Sequence, residues 1–369
     1  MIMGNIHKLS AAVAAISFAA AASAAHAEEV RVFNWSDYIA PETLEKFTER
    51  TGIEVTYDVY DSNEILDAAL LAGRSGYDVV VPSTYYFTRQ VKAGVFQPLN
   101  HELLPNLDNL NPELMANLET IDAGSEYSVP YMWGTNGIGY NVDRVKEILG
   151  DDAPVDSWAL LFDPEITSAL SEAGCGLSML DSADEMLSPA MAYLGFDPLS
   201  ENLDDIEAAG ELIAEVRDDM TYFHSSRYVS DLANGDICVA AGYSGDIFQA
   251  ADRAEEAGRD FTIAYSIPKE GAALWFDMMA VPADAPNTAN AHAFINFILD
   301  PEIAAEITEY VRYANPNAAA NEYLSDEIIN DPAIYPETEV MQNLYVQAEK
   351  PQDVLRARTR IWNRVKSGR

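Results

Sequence analysis

From residue 28 onward, short apolar stretches typical of buried strands alternate with amphipathic stretches typical of helices. A strand is predicted around Val30–Phe33, and Pro41 as the first helical residue and Gly52 bracket a helix over Glu42–Thr51. The next predicted elements are a strand at Ile53–Tyr60, a helix at Asn63–Ala72, a strand at Tyr77–Val81 and a helix at Tyr86–Ala93. This βαβα order predicts a mostly parallel sheet with helices on both faces.

The middle of the chain indicates a change of unit. After loop and short helix over Asn106–Asp122, the stretch Val129–Asn141 is extended chain broken by glycines, and we expect it to cross between two lobes, although glycines also serve close packing. A second α/β unit is predicted from these segments: strand Gly176–Leu180, a helix capped by Asp181 that contains Glu185, strand Ile237–Ala241, helix Ile247–Ala257, strands Phe261–Ile267 and Leu274–Val281, helix Ala291–Tyr310 and a helical tail Val340–Trp362. A chain of this length exceeds what one hydrophobic core normally organises, so two lobes are expected.

The first 27 residues form a distinct segment. Lys8 precedes an Ala-rich apolar run over Leu9–Ala25, and Ala25-His26-Ala27 matches an A-x-A cleavage signal. This pattern predicts a cleaved secretory signal peptide at Met1–Ala27 and a periplasmic mature chain. No later apolar run reaches the ~18 residues that suggest a membrane helix.

The charge balance is strongly acidic, with 22 Lys and Arg against 60 Asp and Glu and a formal net charge of −38. Such a field repels nucleic acid and attracts cations, so no nucleic-acid partner is expected. It does not by itself prove a cationic ligand, because acidic surfaces also favour solubility.

Cys175 and Cys238 are the two cysteines of the chain. An oxidising compartment favours a disulfide between them, and both precede or begin predicted strands of the same unit. The alternative is a pair of buried reduced thiols.

The segment Trp35–Tyr38 lies where the first predicted strand becomes a loop. Ligands of open α/β sheets bind outside the carboxyl ends of the strands, so an indole, a hydroxyl, a carboxylate and a phenol at this point suggest ligand contact. The competing interpretation is a capped turn in which Ser36 or Asp37 holds backbone amides.

Signatures of an enzyme are scarce. Beyond the signal segment the histidines are His101, His224 and His292, in unlike contexts, and they indicate neither a zinc cluster nor a serine–histidine pair. The glycines of Gly134–Gly139 have the wrong spacing for a nucleotide loop, and Gly242–Gly245 is one residue short of a nucleophile elbow. No cofactor, metal or catalytic residue is predicted.

What recurs instead is an aromatic residue close to a carboxylate at a strand end: Trp35 with Asp37, Tyr243 with Asp246, and Trp275 with Asp277. Ammonium groups joined by methylenes need carboxylates for their charges and aromatic faces for their stem. Each pair could instead be a core aromatic beside a helix cap. A hydrolase that uses Asp246 and Asp277 as acid and base is the alternative from another class.

Several segments resemble the periplasmic polyamine-binding proteins of ABC importers, most closely the putrescine-binding type. The resemblance covers essentially the whole chain after the signal segment and is most specific at Asn34–Pro41, Ala93–Leu99, Tyr222–Ser226, Asp231–Ala240, Ser266–Gly271 and Tyr313–Asn315. It implies a two-lobed α/β periplasmic binding protein fold, each lobe a mostly parallel sheet flanked by helices, with the ligand in the cleft between them. Lobe one would be 28–134 plus 274–325, and lobe two 135–273 plus 326–369.

The resemblance implies a set of ligand-binding residues: Trp35, Ser36, Asp37, Tyr38, Ser83, Tyr85, Tyr86, Glu185, Tyr243, Asp246, Trp275, Asp277 and Tyr313. Tyr243 replaces a tryptophan of the putrescine-binding pattern and Trp275 replaces a phenylalanine. The Trp275 replacement, with Tyr85 beside Ser83, resembles the spermidine-binding branch. We therefore expect a polyamine carrier that prefers putrescine, with spermidine or broad polyamine binding as the alternative.

The resemblance also implies partners. A monomer would bind the polyamine and deliver it to the inner-membrane permease of an ABC importer. A signalling role, in which the closed form docks on a membrane receptor, is the other possibility that the sequence leaves open.

Overall fold

The computed structural model describes residues 28–347 and 349–368, so the predicted signal peptide at Met1–Ala27 lies outside the described residues. The described strands are β1 (Glu29–Trp35), β2 (Glu54–Tyr60), β3 (Val79–Val80), β4 (Ser128–Asn141), β5 (Leu177–Met179), β6 (Tyr222–Phe223), β7 (Val239–Tyr243), β8 (Ile263–Ser266), β9 (Ala272–Ala280) and β10 (Leu344–Val346).

The helices that the structure describes are also numbered in chain order. They are α1 (Thr43–Thr51), α2 (Asn63–Leu71), α3 (Thr84–Lys92), α4 (Pro112–Leu118), α5 (Val142–Leu149), α6 (Ala159–Phe162), α7 (Pro164–Glu172), α8 (Ala183–Tyr193), α9 (Leu203–Val216), α10 (Arg227–Asn234), α11 (Ser244–Glu256), α12 (Thr288–Ile298), α13 (Pro301–Val311), α14 (Asp326–Ile329), α15 (Thr338–Met341) and α16 (Gln352–Ser367).

Strand β4 belongs to two sheets. Its first half, Ser128–Thr135, pairs antiparallel with β9, which also pairs antiparallel with β3. Its second half, Asn136–Asn141, pairs antiparallel with β7 and β8. Away from this crossing the pairs are parallel: β1 with β2 and β3, β5 with β6 and β7, and β10 with β9. The predicted α/β class is confirmed, and the antiparallel pairs are confined to the crossing strands and their neighbours.

The apolar residues form separate cores on the two sides of β4. One core contains Ile138, most of the buried apolar residues between 145 and 263, and Val354–Val365 of α16. The other side combines two clusters drawn from 30–133 and 274–334. Ile328 and Ile334 belong to this second side, and Leu344 and Val346 pack against it.

The glycines of β4 serve close packing. A Cβ atom on Gly139 would lie 2.3 Å from Cδ1 of Ile247, and one on Gly137 would lie 2.4 Å from the carbonyl oxygen of Ser266. Neither residue has a positive φ, so the glycines are required by the approach of α11 and β8 and not by an unusual backbone.

The structure corrects several predicted elements. The predicted helix Ala291–Tyr310 is two helices, because Asp300 caps α13 by accepting from the amides of Glu302 and Ile303 and Pro301 cannot continue α12. The predicted helical tail is interrupted by strand β10, which pairs with the first residues of β9. Pro41 lies two residues before α1 and is not its first residue.

Asp181 does not cap α8. The N-cap residue is Ser182, and the Asp181 carboxylate accepts instead from the Trp362 indole (3.0 Å) and pairs with Lys366 of α16. A sequence signal for a cap is local, whereas these two partners come from the other end of the chain.

The disulfide prediction is confirmed. Cys175 and Cys238 are bonded, with their Cα atoms 5.4 Å apart, and they precede the paired strands β5 and β7. Across residues 28–347 and 349–368, every helix is too short or too polar to cross a membrane.

Candidate functional site

A cavity opens at the carboxyl ends of β1, β2 and β7, beside β9 and the amino-terminal end of α11. It is lined by Trp35, Ser36, Tyr38, Asp61, Ser83, Glu185, Ser225, Tyr243, Asp246, Trp275, Asp277 and Tyr313. The lining comes from both sides of the crossing strand, so the cavity lies between the two cores. None of the lining residues is a lysine or an arginine.

The elbow after β1 brings aromatic side chains to this cavity. The Trp35 indole donates to the carbonyl of Val81 (2.9 Å), which fixes the ring beside the end of β3. Asp37 adopts a positive φ of 54°, an unusual conformation for a residue other than glycine, and the chain turns sharply there. The turn leaves Tyr38 buried next to the cavity.

The capped-turn interpretation of this elbow does not hold. Helix α1 has Glu42 at its N-cap and no side-chain hydrogen bond to its first amides. The Asp37 carboxylate accepts from Arg253 of α11 (2.7 Å), and the Asp37 backbone carbonyl accepts from Gln249 (3.1 Å). The elbow is therefore held by α11, an element from the other side of the crossing.

Asp277 lies on β9 with its carboxylate buried in the cavity wall. The Ser83 hydroxyl donates to it (2.5 Å), and Asn63 in turn donates to the Ser83 oxygen (3.1 Å). Burial raises the pKa of Asp277 to about 7, and the Ser83 and Tyr38 hydroxyls oppose that rise. A carboxylate buried without a counterion favours its neutral form, and a bound cation would reverse this preference.

Asp246 occupies the first turn of α11. Its carboxylate accepts from the hydroxyls of Tyr313 (2.8 Å) and Tyr228 (2.6 Å). Burial raises the pKa of Asp246 to about 7 despite these two donors. Asp246 and Asp277 therefore share one electrostatic state: buried, hydrogen-bonded to hydroxyl groups and without a cation in the lining.

Glu185 is the third buried carboxylate of the cavity. Its Oε1 atom accepts from the Tyr85 hydroxyl (3.0 Å) and its Oε2 atom accepts from the Asn136 amide. The Asn136 carbonyl oxygen accepts from the Trp275 indole (2.9 Å). Burial raises the pKa of Glu185 above its ordinary range.

Four aromatic rings form a continuous wall of edge-to-face contacts. The ring centroids of Tyr38 and Tyr313 are 5.0 Å apart, those of Tyr313 and Trp275 are 5.3 Å apart, and those of Trp275 and Tyr243 are 6.0 Å apart. Such packing exposes ring faces to a bound group, and ring faces attract cations and cover methylene stems.

Ten of the thirteen predicted ligand-binding residues line the cavity, and three do not. Asp37 lies on the rim in its ion pair with Arg253. Tyr85 donates its hydroxyl to Glu185 but is itself not part of the cavity lining. Tyr86 packs against Tyr85 (4.9 Å between centroids), and its ring is covered by the Arg89 guanidinium (4.6 Å). Both rings belong to the first turn of α3, which begins at Thr84.

The sequence reasoning missed Asp61 and Ser225, which also line the cavity. Asp61 follows the carboxyl end of β2, so the rule that selected Trp35–Tyr38 could have found it. Ser225 lies in a segment that carried the family resemblance but was not assigned a role. Nothing local marked Asn136, whose part in holding Glu185 and Trp275 depends on three distant elements.

Within the described part of the chain, no group of three or more His, Cys, Asp or Glu side chains is placed to hold a metal ion. The cavity instead combines buried carboxylates, hydroxyl donors and aromatic faces. This arrangement can hold an elongated organic cation whose charged ends are separated by methylenes.

Residues 42–336 match the family of bacterial extracellular solute-binding proteins. The chain is 57% identical to the putrescine-binding periplasmic protein SpuD of Pseudomonas aeruginosa, over 96% of both chains. It is 47% identical to the putrescine-binding periplasmic protein PotF of Escherichia coli, over 94% of this chain and 93% of the relative. A solved structure of a putative spermidine/putrescine ABC transporter from Listeria monocytogenes superposes with a TM-score of 0.82 at 34% identity, covering 93% of this chain and all of that one.

Proposed function

The chain belongs to the family of bacterial extracellular solute-binding proteins, and on that premise we propose that it captures a polyamine and delivers it to the permease of an ABC importer. The observation that carries the proposal is the cavity, in which Asp246 and Asp277 are buried without a cation and lie against an aromatic wall. The relatives that are 57% and 47% identical are named for putrescine binding, which agrees with this chemistry.

Binding would work by replacing protons with ammonium groups. In the free protein Asp246 and Asp277 have pKa values raised to about 7 by burial, so each carries a proton part of the time near neutral pH. An ammonium group in contact with either carboxylate favours the ionised form and releases that proton. The hydrogen bonds from Ser83 to Asp277 and from Tyr228 to Asp246, each within one proposed lobe, hold the carboxylates in place before the ligand arrives.

The aromatic wall supplies the rest of the contact. Trp275 and Tyr243 would cover the methylene stem, and the ring faces would add cation–π attraction to the ammonium groups. Because the cavity excludes water, both contributions are stronger than they would be on the surface. We propose no bond-making or bond-breaking step.

The proposed ligand-binding residues are Trp35, Ser36, Tyr38, Ser83, Glu185, Tyr243, Asp246, Trp275, Asp277 and Tyr313, with Asp61 and Ser225 added from the cavity lining. Asp37 would act from the rim through Arg253, and Tyr85 and Tyr86 would act behind the cavity wall. All thirteen predicted residues thus keep a proposed role, ten in contact with the ligand and three through neighbouring residues.

We also propose the two-lobe division, with 28–134 and 274–325 as lobe one and 135–273 as the body of lobe two. The packing of Ile328, Ile334 and β10 against the core formed by 30–133 and 274–334 supports one change. The segment 326–346 would belong to lobe one, and only the C-terminal part with α16 would return to lobe two. Closure of the lobes would bring Tyr313 to Asp246 and Tyr85 to Glu185, since both hydrogen bonds join a residue of proposed lobe one to a residue of proposed lobe two.

The proposed location is the periplasm. The predicted signal peptide would direct the chain there, and the names of both relatives call them periplasmic proteins. Within that setting we propose putrescine as the preferred ligand and a monomer as the working form. The solved structure named for spermidine and putrescine is less similar, at 34% identity.

Isothermal titration calorimetry of the protein without its signal segment tests the proposal against putrescine, spermidine and an uncharged diol of similar length. We expect heat at a stoichiometry near one for the polyamines, with an affinity near micromolar, which corresponds to about −8 kcal/mol, and no heat for the diol. Analysis of the ligand after incubation should recover it unchanged. Absence of binding by every polyamine, or appearance of a cleaved product, would contradict the proposal.

A further inference from the structure

A compact cluster of buried charges lies directly behind Glu185. Asp184, Lys350 and Arg358 are 6%, 8% and 1% exposed. Asp184 is in the first turn of α8, whereas both cations come from the C-terminal part of the chain, Lys350 just before α16 and Arg358 within it. None of the three lines the cavity.

The contacts within this cluster are ionic and close. Nε of Arg358 lies 2.6 Å from Oδ1 of Asp184, and Nζ of Lys350 lies 3.4 Å from the same oxygen. Lys350 also donates to the Gln347 carbonyl oxygen (2.8 Å). Burial alone would raise the pKa of Asp184, but Arg358 and Lys350 outweigh it and lower that pKa.

The charges of this cluster do not balance within it. Two cations face one carboxylate, which leaves one positive charge in excess. The residue that follows Asp184 along α8, Glu185, is also a buried carboxylate. Lys350 therefore acts on Glu185 as a partial counter-charge from outside the cavity lining, and it opposes the rise in the pKa of Glu185 that burial and Asp184 cause.

Tyr85 separates this excess charge from the cavity. Nζ of Lys350 lies 5.9 Å from the centroid of the Tyr85 ring, within the range of a cation–π contact. The hydroxyl of the same ring donates to Glu185 (3.0 Å). The ammonium group of Lys350 therefore approaches the Glu185 end of the cavity from behind a single aromatic ring.

We propose that Lys350 is a specificity-determining residue that limits the cavity to ligands with two ammonium groups. Its charge offsets part of the charge of Glu185 from outside the cavity, which leaves Asp246 and Asp277 as the two fully buried carboxylates of the lining for a ligand to neutralise, beside the partly exposed Asp61. A third ammonium group placed near Glu185 would meet a carboxylate that already has a counter-charge, together with the repulsion of that charge. This inference rests on the proposed function and deepens it, because it selects diamines over triamines.

The test is the affinity of Lys350→Met for putrescine and for spermidine, measured by calorimetry on the full mature chain. Without the Lys350 charge, Arg358 pairs with Asp184 alone and Glu185 becomes uncompensated. We expect the ratio of spermidine affinity to putrescine affinity to rise about tenfold, which is the scale of one partly screened charge contact. A general loosening of the structure would weaken both ligands together and leave the ratio in place.

Lys269→Met is the matched control. Lys269 is an exposed lysine, paired with the exposed Asp156, and it makes no contact with the cavity lining. It removes the same net charge from the chain, so it separates a local effect from a change of the overall field. We expect Lys269→Met to keep the parent's ratio of spermidine affinity to putrescine affinity. An equal shift of this ratio in Lys350→Met and Lys269→Met would overturn the proposal.

Glu185→Gln keeps the test decisive if Lys350→Met does not fold. The substitution nearly preserves shape and leaves the Lys350 charge uncompensated. We expect both affinities to fall, with spermidine falling more, so that the ratio moves in the opposite direction. In a folded double variant with Lys350→Met the ratio should return towards that of the parent.

The outcomes distinguish this inference from the proposed function. If the parent protein gives no heat with putrescine, the proposed function fails. If the parent binds putrescine at a stoichiometry near one but neither Lys350→Met nor Glu185→Gln changes the ratio, the inference fails and the proposed function stands.

Discussion

Asp184 on one side, and Asp246 with Asp277 on the other, are buried to a similar degree, yet their pKa values move in opposite directions. Arg358 and Lys350 lower the pKa of Asp184 against the effect of burial. Burial raises the pKa of Asp246 and of Asp277 to about 7, because the hydroxyl donors around them offset burial only in part and no lysine or arginine lines the cavity. The difference separates two uses of a buried carboxylate. One with its own counterions holds elements together, and one with only hydroxyl partners is prepared for a cation from outside.

The first prediction concerns Asp184 and its counterions, and it has the largest expected effect. Arg358→Met removes the closest counterion of Asp184, so we expect the free energy of unfolding of the ligand-free protein to fall by about 3–5 kcal/mol, the range for a broken buried ion pair. Urea denaturation at pH 7 measures it. Arg360→Met, an exposed position on the same helix, is the control and should lose little. Equal losses in both variants would show that Arg358 contributes only to packing.

The second prediction concerns the two cavity carboxylates, which we expect to bind the ligand. Asp277→Asn or Asp246→Asn should weaken polyamine binding by about 1.5–3 kcal/mol, the scale of a hydrogen bond to a charged group. The free energy of unfolding without ligand should change much less, because neither carboxylate forms an ion pair with a lysine or arginine of the cavity lining. Calorimetry and urea denaturation of the same samples give both numbers.

The exposed Asp152→Asn is the matched control for these variants, since it removes one carboxylate outside the cavity. If Asp246→Asn and Asp277→Asn bind polyamines as tightly as the parent and Asp152→Asn, the ligand site lies elsewhere. If they instead lose stability as severely as Arg358→Met, the contrast between the two kinds of carboxylate is wrong.

The sequence anticipated much of this site because strand ends and the residues that follow them are local features. Trp35, Tyr243 and Asp277 each stand in or directly beside an apolar stretch that the pattern marks as a strand. The rule that ligands bind outside strand ends was enough to select Trp35 and Tyr243, whereas Asp277 lies within β9 and was selected by its place near Trp275 and by the family resemblance. The same local logic explains an avoidable error, since the Asp300-Pro301 pair that divides α12 from α13 is a recognisable helix start.

The buried ion pairs of Asp184 could not be predicted in the same way. The basic residues near the C-terminus look like a solvated helix face, and Arg358 became a core residue only by meeting Asp184, 174 positions earlier in the chain. Strand β10 depends likewise on the edge of β9. Long-range partners leave no periodic signal, so the sequence predicted the cavity better than it predicted the cluster behind it.

A third prediction concerns how stability and ligand affinity depend on pH. The raised pKa values of Asp246 and Asp277 mean that the folded protein holds protons that the unfolded chain releases near pH 4. Their contribution to stability is complete below pH 4 and is lost as the pH rises through 7. Ligand binding has the opposite dependence: between pH 8 and pH 6 the affinity for putrescine should fall by about 1.4 kcal/mol for each carboxylate that takes up a proton.

Calorimetry at pH 6 in two buffers of different ionisation enthalpy measures this proton release directly. The parent should release protons on binding, and Asp277→Asn should release fewer. Asp184 supplies the internal contrast, because its lowered pKa keeps it ionised throughout this range. An affinity that is flat between pH 6 and pH 8 would mean that the cavity carboxylates are already ionised before the ligand arrives.

The last and smallest effect is expected at Tyr85, the ring that stands between the two kinds of carboxylate. Tyr85→Ser removes the donor to Glu185 and the ring beneath the Lys350 ammonium, which gives a longer ligand more room at that end. Because the Lys350 charge remains and now faces the opened space, we expect the spermidine-to-putrescine affinity ratio to rise only about threefold, or roughly 0.6 kcal/mol. A competition titration with both ligands measures this ratio. Tyr86→Ser is the control, since the neighbouring ring lies under Arg89 instead. If Tyr85→Ser leaves the ratio unchanged, or if Tyr86→Ser shifts it equally, then Tyr85 does not read ligand length, and the selection of a diamine depends on charge without help from this ring.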